Sequence, residues 1–234
     1  MVTDFLKGLV ASAACVASLL IATPGDLEFA EQRDEAIKVG KQRVEHERVI
    51  VTPEGPVIER LPGGESVILK STLHDSTPLA PGVLAIMRAR DWGEFRAATK
   101  QVFTPPVMYT YADIDGNIGL QLAGAIPQRR AGTGALPLPY RPGESPWSSF
   151  VPFDAIPSVY NPASGRIASA NTEPNAEGAA RVPGDYFDEY RARRIESLLE
   201  SVAPVPAASE AMHADVYAGH AESLLAAIGD WEPD

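Results

Sequence analysis

The sequence predicts an α+β fold in which antiparallel strands fill the first half and a helix pair closes the C-terminal end. Three observations carry that prediction. Short β-like runs between residues 31 and 69 alternate with proline–glycine punctuation, an Asp-Gly pair separates two further runs, and apolar residues recur at helical spacing from Phe187 to Ile228.

The first element is an apolar run from Leu9 to Ala22, behind a short start that carries Asp4 and Lys7. At 14 residues it is too short to span a bilayer. Two readings stand open. One is a signal-peptide hydrophobic region, although the start has no net positive charge and no clean small-x-small cleavage site follows the run before Thr23-Pro24-Gly25. The other is a buried or frayed helix from Asp4 to Ala22. Ser12-Ala13-Ala14-Cys15 lacks the leucine of a lipoprotein box.

Ala36 to Val39, Val44 to Thr52, Val57 to Arg60 and Ser66 to Leu69 follow, with Pro53-Glu54-Gly55-Pro56 and Pro62-Gly63-Gly64 between the later ones. Runs of this length between such breaks read as an antiparallel meander. Asp91 to Ala98 reads as a short helix, because Trp92, Phe95 and Thr99 fall on one face. Val107 to Ala112 and Ile118 to Ala123 flank Asp113-Ile114-Asp115-Gly116-Asn117, where Asp-Gly supplies the positive φ that a tight hairpin needs.

From Pro127 to Pro183 the chain is rich in proline, glycine and serine, yet Trp147, Phe150, Phe153 and Tyr160 recur through it. Aromatic residues are what a solvated linker lacks, so this stretch is expected to be an ordered loop wrapped on a core. Two helices close the chain. Phe187, Tyr190, Ile195, Leu198, Leu199 and Val202 share one face of the first, and Met212, Val216, Ala221, Leu224 and Ile228 one face of the second. Pro204-Val205-Pro206 separates them and Ser209 is placed to cap the second.

Composition bounds what such a chain does. Its 234 residues, 45% of them hydrophobic, suffice for one large or two small domains with an ordinary core. Lys+Arg 20 against Asp+Glu 31 gives a net charge of -11, which repels phosphate and argues against a nucleic-acid partner. Cys15 is the single cysteine, so no internal disulfide holds the fold.

Few residues announce chemistry by themselves. His46, His74, His213 and His220 show no metal-ligand spacing. Asp113 and Asp115 fail the calcium-loop frame, since Gly116 is misplaced and no glutamate closes it, so a hairpin turn is the better reading. Arg194 lies four residues after Tyr190 and four before Leu198, on the apolar stripe of its helix. A guanidinium there either finds acceptors or snorkels to water on its long stem. Asn171, after Arg166-Ile167-Ala168-Ser169-Ala170, reads alone as a turn residue at a strand end.

A series of phrases changes that reading. Tyr111-Ala112-Asp113-Ile114-Asp115-Gly116-Asn117-Ile118-Gly119 is followed by Gly124-Ala125-Ile126-Pro127-Gln128-Arg129 and Leu136-Pro137-Leu138-Pro139. Trp147, Val151-Pro152-Phe153-Asp154-Ala155-Ile156-Pro157, Asn161-Pro162-Ala163-Ser164-Gly165 and Ala170-Asn171 come next. Tyr190-Arg191-Ala192-Arg193-Arg194-Ile195 and Asp215-Val216-Tyr217 complete the order. Together these resemble the interior part of the β-chain of the penicillin acylase (penicillin amidase) family of N-terminal nucleophile hydrolases. Upstream, Arg33-Asp34-Glu35-Ala36-Ile37-Lys38-Val39 and Thr52-Pro53-Glu54-Gly55-Pro56-Val57 are similar to the family's phrases, with Glu54 where a histidine is usual. Residues 26–234 form the family-like segment, and residues 1–25 are unmatched.

The resemblance implies part of a four-layer αββα sandwich and hydrolysis of linear amides through an acyl-enzyme. The family's nucleophile is a serine freed by self-cleavage of a glycine–serine bond, whose own α-amine acts as base. The resemblance assigns Asn171 as the oxyanion-stabilising asparagine, Arg194 as the arginine that orients it, and Val107 as a residue of the acyl pocket. It implies no cofactor for the chemistry, a structural calcium whose ligands are not recoverable in this sequence, and a periplasmic or secreted location.

No glycine in the sequence is followed by serine or cysteine, so no nucleophile is assigned. The chain is therefore expected to be a piece of a longer family member and inactive alone. Its expected ligand is a small acyl-amide substrate once complemented. The alternative is a non-catalytic or complementing subunit that assembles with a separately encoded, nucleophile-bearing chain. No membrane span is expected.

Overall fold

A computed structural model describes residues 16–229 apart from Ser76, Asn175, Asp185, Phe187, Asp188 and residues 202–204. Eleven strands and five helices lie among the described residues. The largest sheet runs in the order β2 (Glu31–Val39), β3 (Arg43–Thr52), β4 (Gly55–Arg60), β5 (Ser66–Ser71), β1 (Ala17–Ala22) and β9 (Leu138–Pro139). The expected meander is β2 to β5, and each of its strands pairs antiparallel with the next.

Strand β1 corrects the helix expected over Asp4–Ala22. Ala17 to Ala22 pair with β5 over six residues and, at Leu20 and Ile21, run parallel to β9. Every residue of the strand except Ile21 is buried. An apolar run covered on both faces carries no alternation, so periodicity alone does not separate a buried strand from a helix. The β5 ladder decides it. Residues 1–15, on which the rest of both the signal-peptide and the helix readings falls, lie outside the described residues.

Leu20, Ala22, Leu27, Ile68 and Tyr140 form the core of this sheet, with Val57 and Leu138 packed on it. Each fully buried leucine or isoleucine contributes about 1.5–3 kcal/mol.

Two helices the punctuation leaves unequal precede the second sheet. α1 (Ala80–Arg88) was not anticipated; Pro81 sits in its first turn and Gly82 is buried against Val102, where a Cβ would come within 3.0 Å. α2 (Trp92–Thr99) is the expected one. Asp91 caps it through Oδ1, which accepts from Glu94 N–H at 2.8 Å, while Glu94 Oε2 accepts from Arg90 N–H at 2.9 Å.

β6 (Val107–Ala112) and β7 (Ile118–Ala123) occupy the expected spans, and β11 (Ser158–Tyr160) adds to the other edge of β7. The turn between β6 and β7 is organised by Asp113, whose carboxylate accepts from Asp115 N–H, from Asn117 N–H and Nδ2, and from Tyr111 O–H. These bonds, led by the Asn117 amide, hold the Asp113 carboxyl below its usual value. Burial and the neighbouring carboxylate push the Tyr111 hydroxyl up to about 12.

Gly119 faces Tyr111 on β6 and Tyr160 on β11, and a Cβ there would come 2.4 Å from the Trp92 ring. The missing side chain lets Trp92 stack on Tyr160 at 5.0 Å and meet Tyr111 edge-on at 5.4 Å.

The proline-rich stretch is ordered, as its aromatic residues imply. β8 (Pro127–Arg129) pairs with β10 (Trp147–Phe150), and Ile126, Ile156 and Val182 join Leu122 in a second buried cluster. Asn161, at φ 46, fastens the stretch to the hairpin: its Oδ1 accepts from Ile118 N–H and its Nδ2 donates to Asn117 Oδ1.

The end of the chain departs from a simple helix pair. α3 (Tyr190–Ser201) is the first expected helix, while the second is divided into α4 (Pro206–His213) and α5 (Gly219–Ile228). Pro206 starts α4 early, so Ser209 lies inside it rather than at its cap. The break falls at Ala214–Ala218, where Asp215 is drawn toward α3. Phe187 and Val202, expected on the first helix, lie outside the described residues.

Candidate functional site

Asn171 follows buried Ala170 and holds a left-handed backbone, φ 59, which asparagine tolerates better than most side chains. Its exposed carboxamide meets the first turn of α3. Arg191 Nη2 donates to Asn171 Oδ1 at 2.6 Å and to the Ala170 carbonyl at 2.8 Å. A guanidinium only donates, so the carboxamide must turn its oxygen to Arg191 and its Nδ2–H groups away. Among the described residues nothing accepts from that nitrogen. The result is a donor of fixed direction beside a fixed cation.

Arg194 does not make this contact. It is bound in a fork by Asp215, Nε to Oδ2 at 3.0 Å and Nη2 to Oδ1 at 2.7 Å, with its guanidinium carbon 4.6 Å from the Tyr217 ring centre. The bond to Arg194 holds the Asp215 carboxyl below its usual value. The Tyr217 hydroxyl donates in turn to Glu222 on α5. Of the two readings of Arg194, the one in which it finds acceptors is correct.

Arg191 and Arg194 are three residues apart on one helical face, so spacing within α3 does not separate their roles. The partners do: Asp215 takes Arg194, and Asn171 takes Arg191. The expected meeting of Asn171 with Arg194 is thus replaced by one with Arg191, a residue that sequence reasoning passed over inside its own phrase. Opposite charges in the phrases of Arg194 and Asp215 were the signal for that pair.

Val107 opens β6, faces Ala123 and is 38% exposed. It does not line the groove beside Arg191. That groove, about 780 Å³, runs between α3, α4 and α5 and is lined by Tyr190, Ile195, Leu198, Met212 and Tyr217 with both arginines. His220 sets its ring against Tyr190.

Glu54 occupies a different place. It is 9% exposed, and its Oε2 receives Lys70 Nζ at 2.6 Å. The Ser145 hydroxyl is shared between the same Oε2 at 2.8 Å and the Trp147 carbonyl at 2.7 Å. Lys70 Nζ also lies 5.3 Å from the Trp147 ring centre. This cluster pins the proline-rich stretch to the large sheet.

Among the described residues no group of three or more His, Cys, Asp or Glu side chains is placed to hold a metal ion. Nor, among the described residues, is any helix long and apolar enough to cross a membrane.

Fold and site together define a class: an α+β protein of antiparallel sheets whose helix α3 presents a guanidinium to an asparagine of the proline-rich stretch, where residues 166–171 form no strand. The sequence profile of the penicillin amidase family matches residues 20–233, and the chain belongs to that family. It is 35% identical over 150 residues to penicillin G acylase of Escherichia coli, covering 62% of this chain and 17% of that protein. With penicillin acylase 2 proenzyme of Pseudomonas sp. (strain SE83) it shares 30% identity over 184 residues, 77% of this chain and 24% of the relative. The acyl-homoserine lactone acylase QuiP of Pseudomonas aeruginosa is 25% identical over 188 residues, 74% of this chain and 22% of the relative. Among solved structures, a thermostable penicillin G acylase from Alcaligenes faecalis superposes with a TM-score of 0.67 at 25% identity, covering 82% of this chain and 37% of that one. The chain thus spans about a fifth of the length of these curated relatives, between 17% and 24%.

Proposed function

We propose that this chain supplies the oxyanion-stabilising part of an active site that hydrolyses linear acyl amides, such as penicillins or acyl-homoserine lactones. The observation that carries the reading is the Arg191–Asn171 pair. Attack on an amide carbonyl moves charge onto its oxygen, and a donor that is already oriented stabilises that charge without reorganising. Arg191 turns the Asn171 nitrogen outward and adds a positive charge behind it. Asn171 is the group that would touch the reacting oxygen; Arg191 acts through it as a positioning residue, in the role first given to Arg194.

The nucleophile of this reading is an amino-terminal serine with its α-amine as base, which these 234 residues do not supply, since no glycine precedes a serine or cysteine. By themselves they do not turn over an amide. Val107 contributes to the acyl pocket, the sheets form part of an αββα sandwich, and the protein works in the periplasm or outside the cell. Each of these rests on the resemblance of the sequence phrases.

The test is an assay with a chromogenic phenylacetyl amide, with and without a nucleophile-bearing segment. Activity that appears only with the segment and falls on Asn171→Ala supports the reading. Turnover by the chain alone that Asn171→Ala abolishes defeats the inactivity claim, and turnover indifferent to Asn171 defeats the oxyanion assignment.

A second reading, a non-catalytic unit complemented by a separate nucleophile-bearing chain, is favoured by one observation. α5 leaves Leu224 and Leu225 59% and 68% exposed beside the open groove on α3. Co-purification with a second polypeptide that begins with serine supports it; a cooperative monomer that binds no such polypeptide counts against it.

A further inference from the structure

The hairpin of β2 and β3 stands out from the large sheet. All nine residues of β2 are exposed, and its ladder with β3 runs from Glu31↔Val51 to Val39↔Arg43 without a register shift. Among the described residues β2 is the last strand of its sheet, and none of them forms a strand on its outer row of backbone groups. It holds no proline and no bulge, two of the devices by which edge strands are blunted. At its outer end Ile37, Val39 and Val44 are 50%, 37% and 50% exposed.

Charge marks the same segment. Residues 31–48 hold five acidic side chains (Glu31, Asp34, Glu35, Glu45, Glu47) and five basic ones (Arg33, Lys38, Lys41, Arg43, Arg48), so the hairpin is neutral in a chain of net charge -11. Two copies of an acidic protein repel over most of their surfaces. Here they do not.

We infer that β2 is a self-association edge, on which a second copy of this chain adds its own β2 antiparallel about Ala36, joining two sheets into one. The register follows from pairing chemistry. A two-fold axis perpendicular to the sheet keeps faces matched, so the pairing centres on a residue. Centring on Glu35 or Asp34 sets that carboxylate against its own copy, and centring on Arg33 sets Glu31 against Glu35. Centring on Ile37 pairs no charges. Centring on Ala36 sets Asp34 against the second copy's Lys38 at both ends, with Arg33 facing Val39 and Glu35 facing Ile37. Arg48, already on Asp34 at 3.1 Å, extends each row into alternating charge, and Ile37 and Val39 gain cover from the side chains opposite them.

The experiment is sedimentation equilibrium of the 234-residue chain and of two variants, with circular dichroism to verify their folding. The unmodified chain is expected to dimerise reversibly. Lys38→Asp brings carboxylates together at both ends of the pairing, and Asp34→Lys brings ammonium groups together. Each is expected to weaken the dimer by about tenfold or more. Loss of the exposed Asp34–Arg48 pair has little effect on folding. Mixing the two variants restores both opposite-charge pairs, so the mixture is expected to associate as tightly as the unmodified chain. A chain monomeric at every concentration overturns the inference. So does a dimer indifferent to both substitutions, or a mixture that stays apart.

Discussion

Arg191 and Asn171 meet one helical turn before Arg194, at 2.6 Å, so the cation of the candidate site is the arginine with a carboxamide for a partner. The division has kinetic consequences. In the complemented enzyme, Asn171→Ala is expected to lower kcat by about 10²–10³-fold, the usual cost of one oxyanion donor, with KM little changed. Arg191→Ala should reproduce much of that loss, whereas Arg194→Ala should lower the melting temperature and spare kcat. Steady-state kinetics on a chromogenic phenylacetyl amide separate the two arginines.

Glu54 and Lys70 form a nearly buried pair, with side chains 10% and 16% exposed. Removing one partner strands the other, so Glu54→Leu or Lys70→Met is expected to cost about 3 kcal/mol. Glu54→His should also destabilise while Lys70 remains. In urea denaturation the double variant Glu54→Leu/Lys70→Met should lose clearly less than the sum of the singles; additive losses would show that the pair is not coupled.

Gly119 is required by the ring above it. Gly119→Ala forces a methyl group into Trp92 and should cost about 1–3 kcal/mol, a fall of about 2–4 °C in Tm for each kcal/mol. Trp92→Leu on the same chain should relieve most of the penalty, as thermal melts would reveal.

Asp215 predicts the acid limb of stability. Its carboxyl is held below the ordinary value by Arg194, so its contribution is fully present above the unfolded value near pH 4 and fades as pH falls through the lower folded one. Melting temperatures of the unmodified chain and of Asp215→Asn should therefore converge on acidification from about pH 5 to about pH 2. Parallel curves would mean that the fork contributes nothing.

Much of the fold was legible because its signals are local. Asp-Gly between two strand-like runs placed β6 and β7 to the residue, and Asp91 before Trp92 marked the start of α2. β1 was not legible, since a strand buried on both faces has no period of its own. The break between α4 and α5 was hidden for another reason. It depends on Asp215 leaving the helix for Arg194, some twenty residues away in sequence. At the site, the phrase found Asn171, but choosing between Arg191 and Arg194 needed the far side of each contact.

The proline-rich stretch is fastened at separate points: Ser145 to Glu54, Asn161 to the β6–β7 turn, and Ala170 with Asn171 to Arg191. Between Arg130, whose N–H donates to the Pro146 carbonyl, and β9 no such fastening falls, and Leu136 there is 76% exposed. Lengthening a loop between fixed ends is entropically cheap. Residues 131–137 therefore offer the natural place to graft an epitope or a fluorophore, as the strain of the insert would be absorbed before it reached the carboxamide.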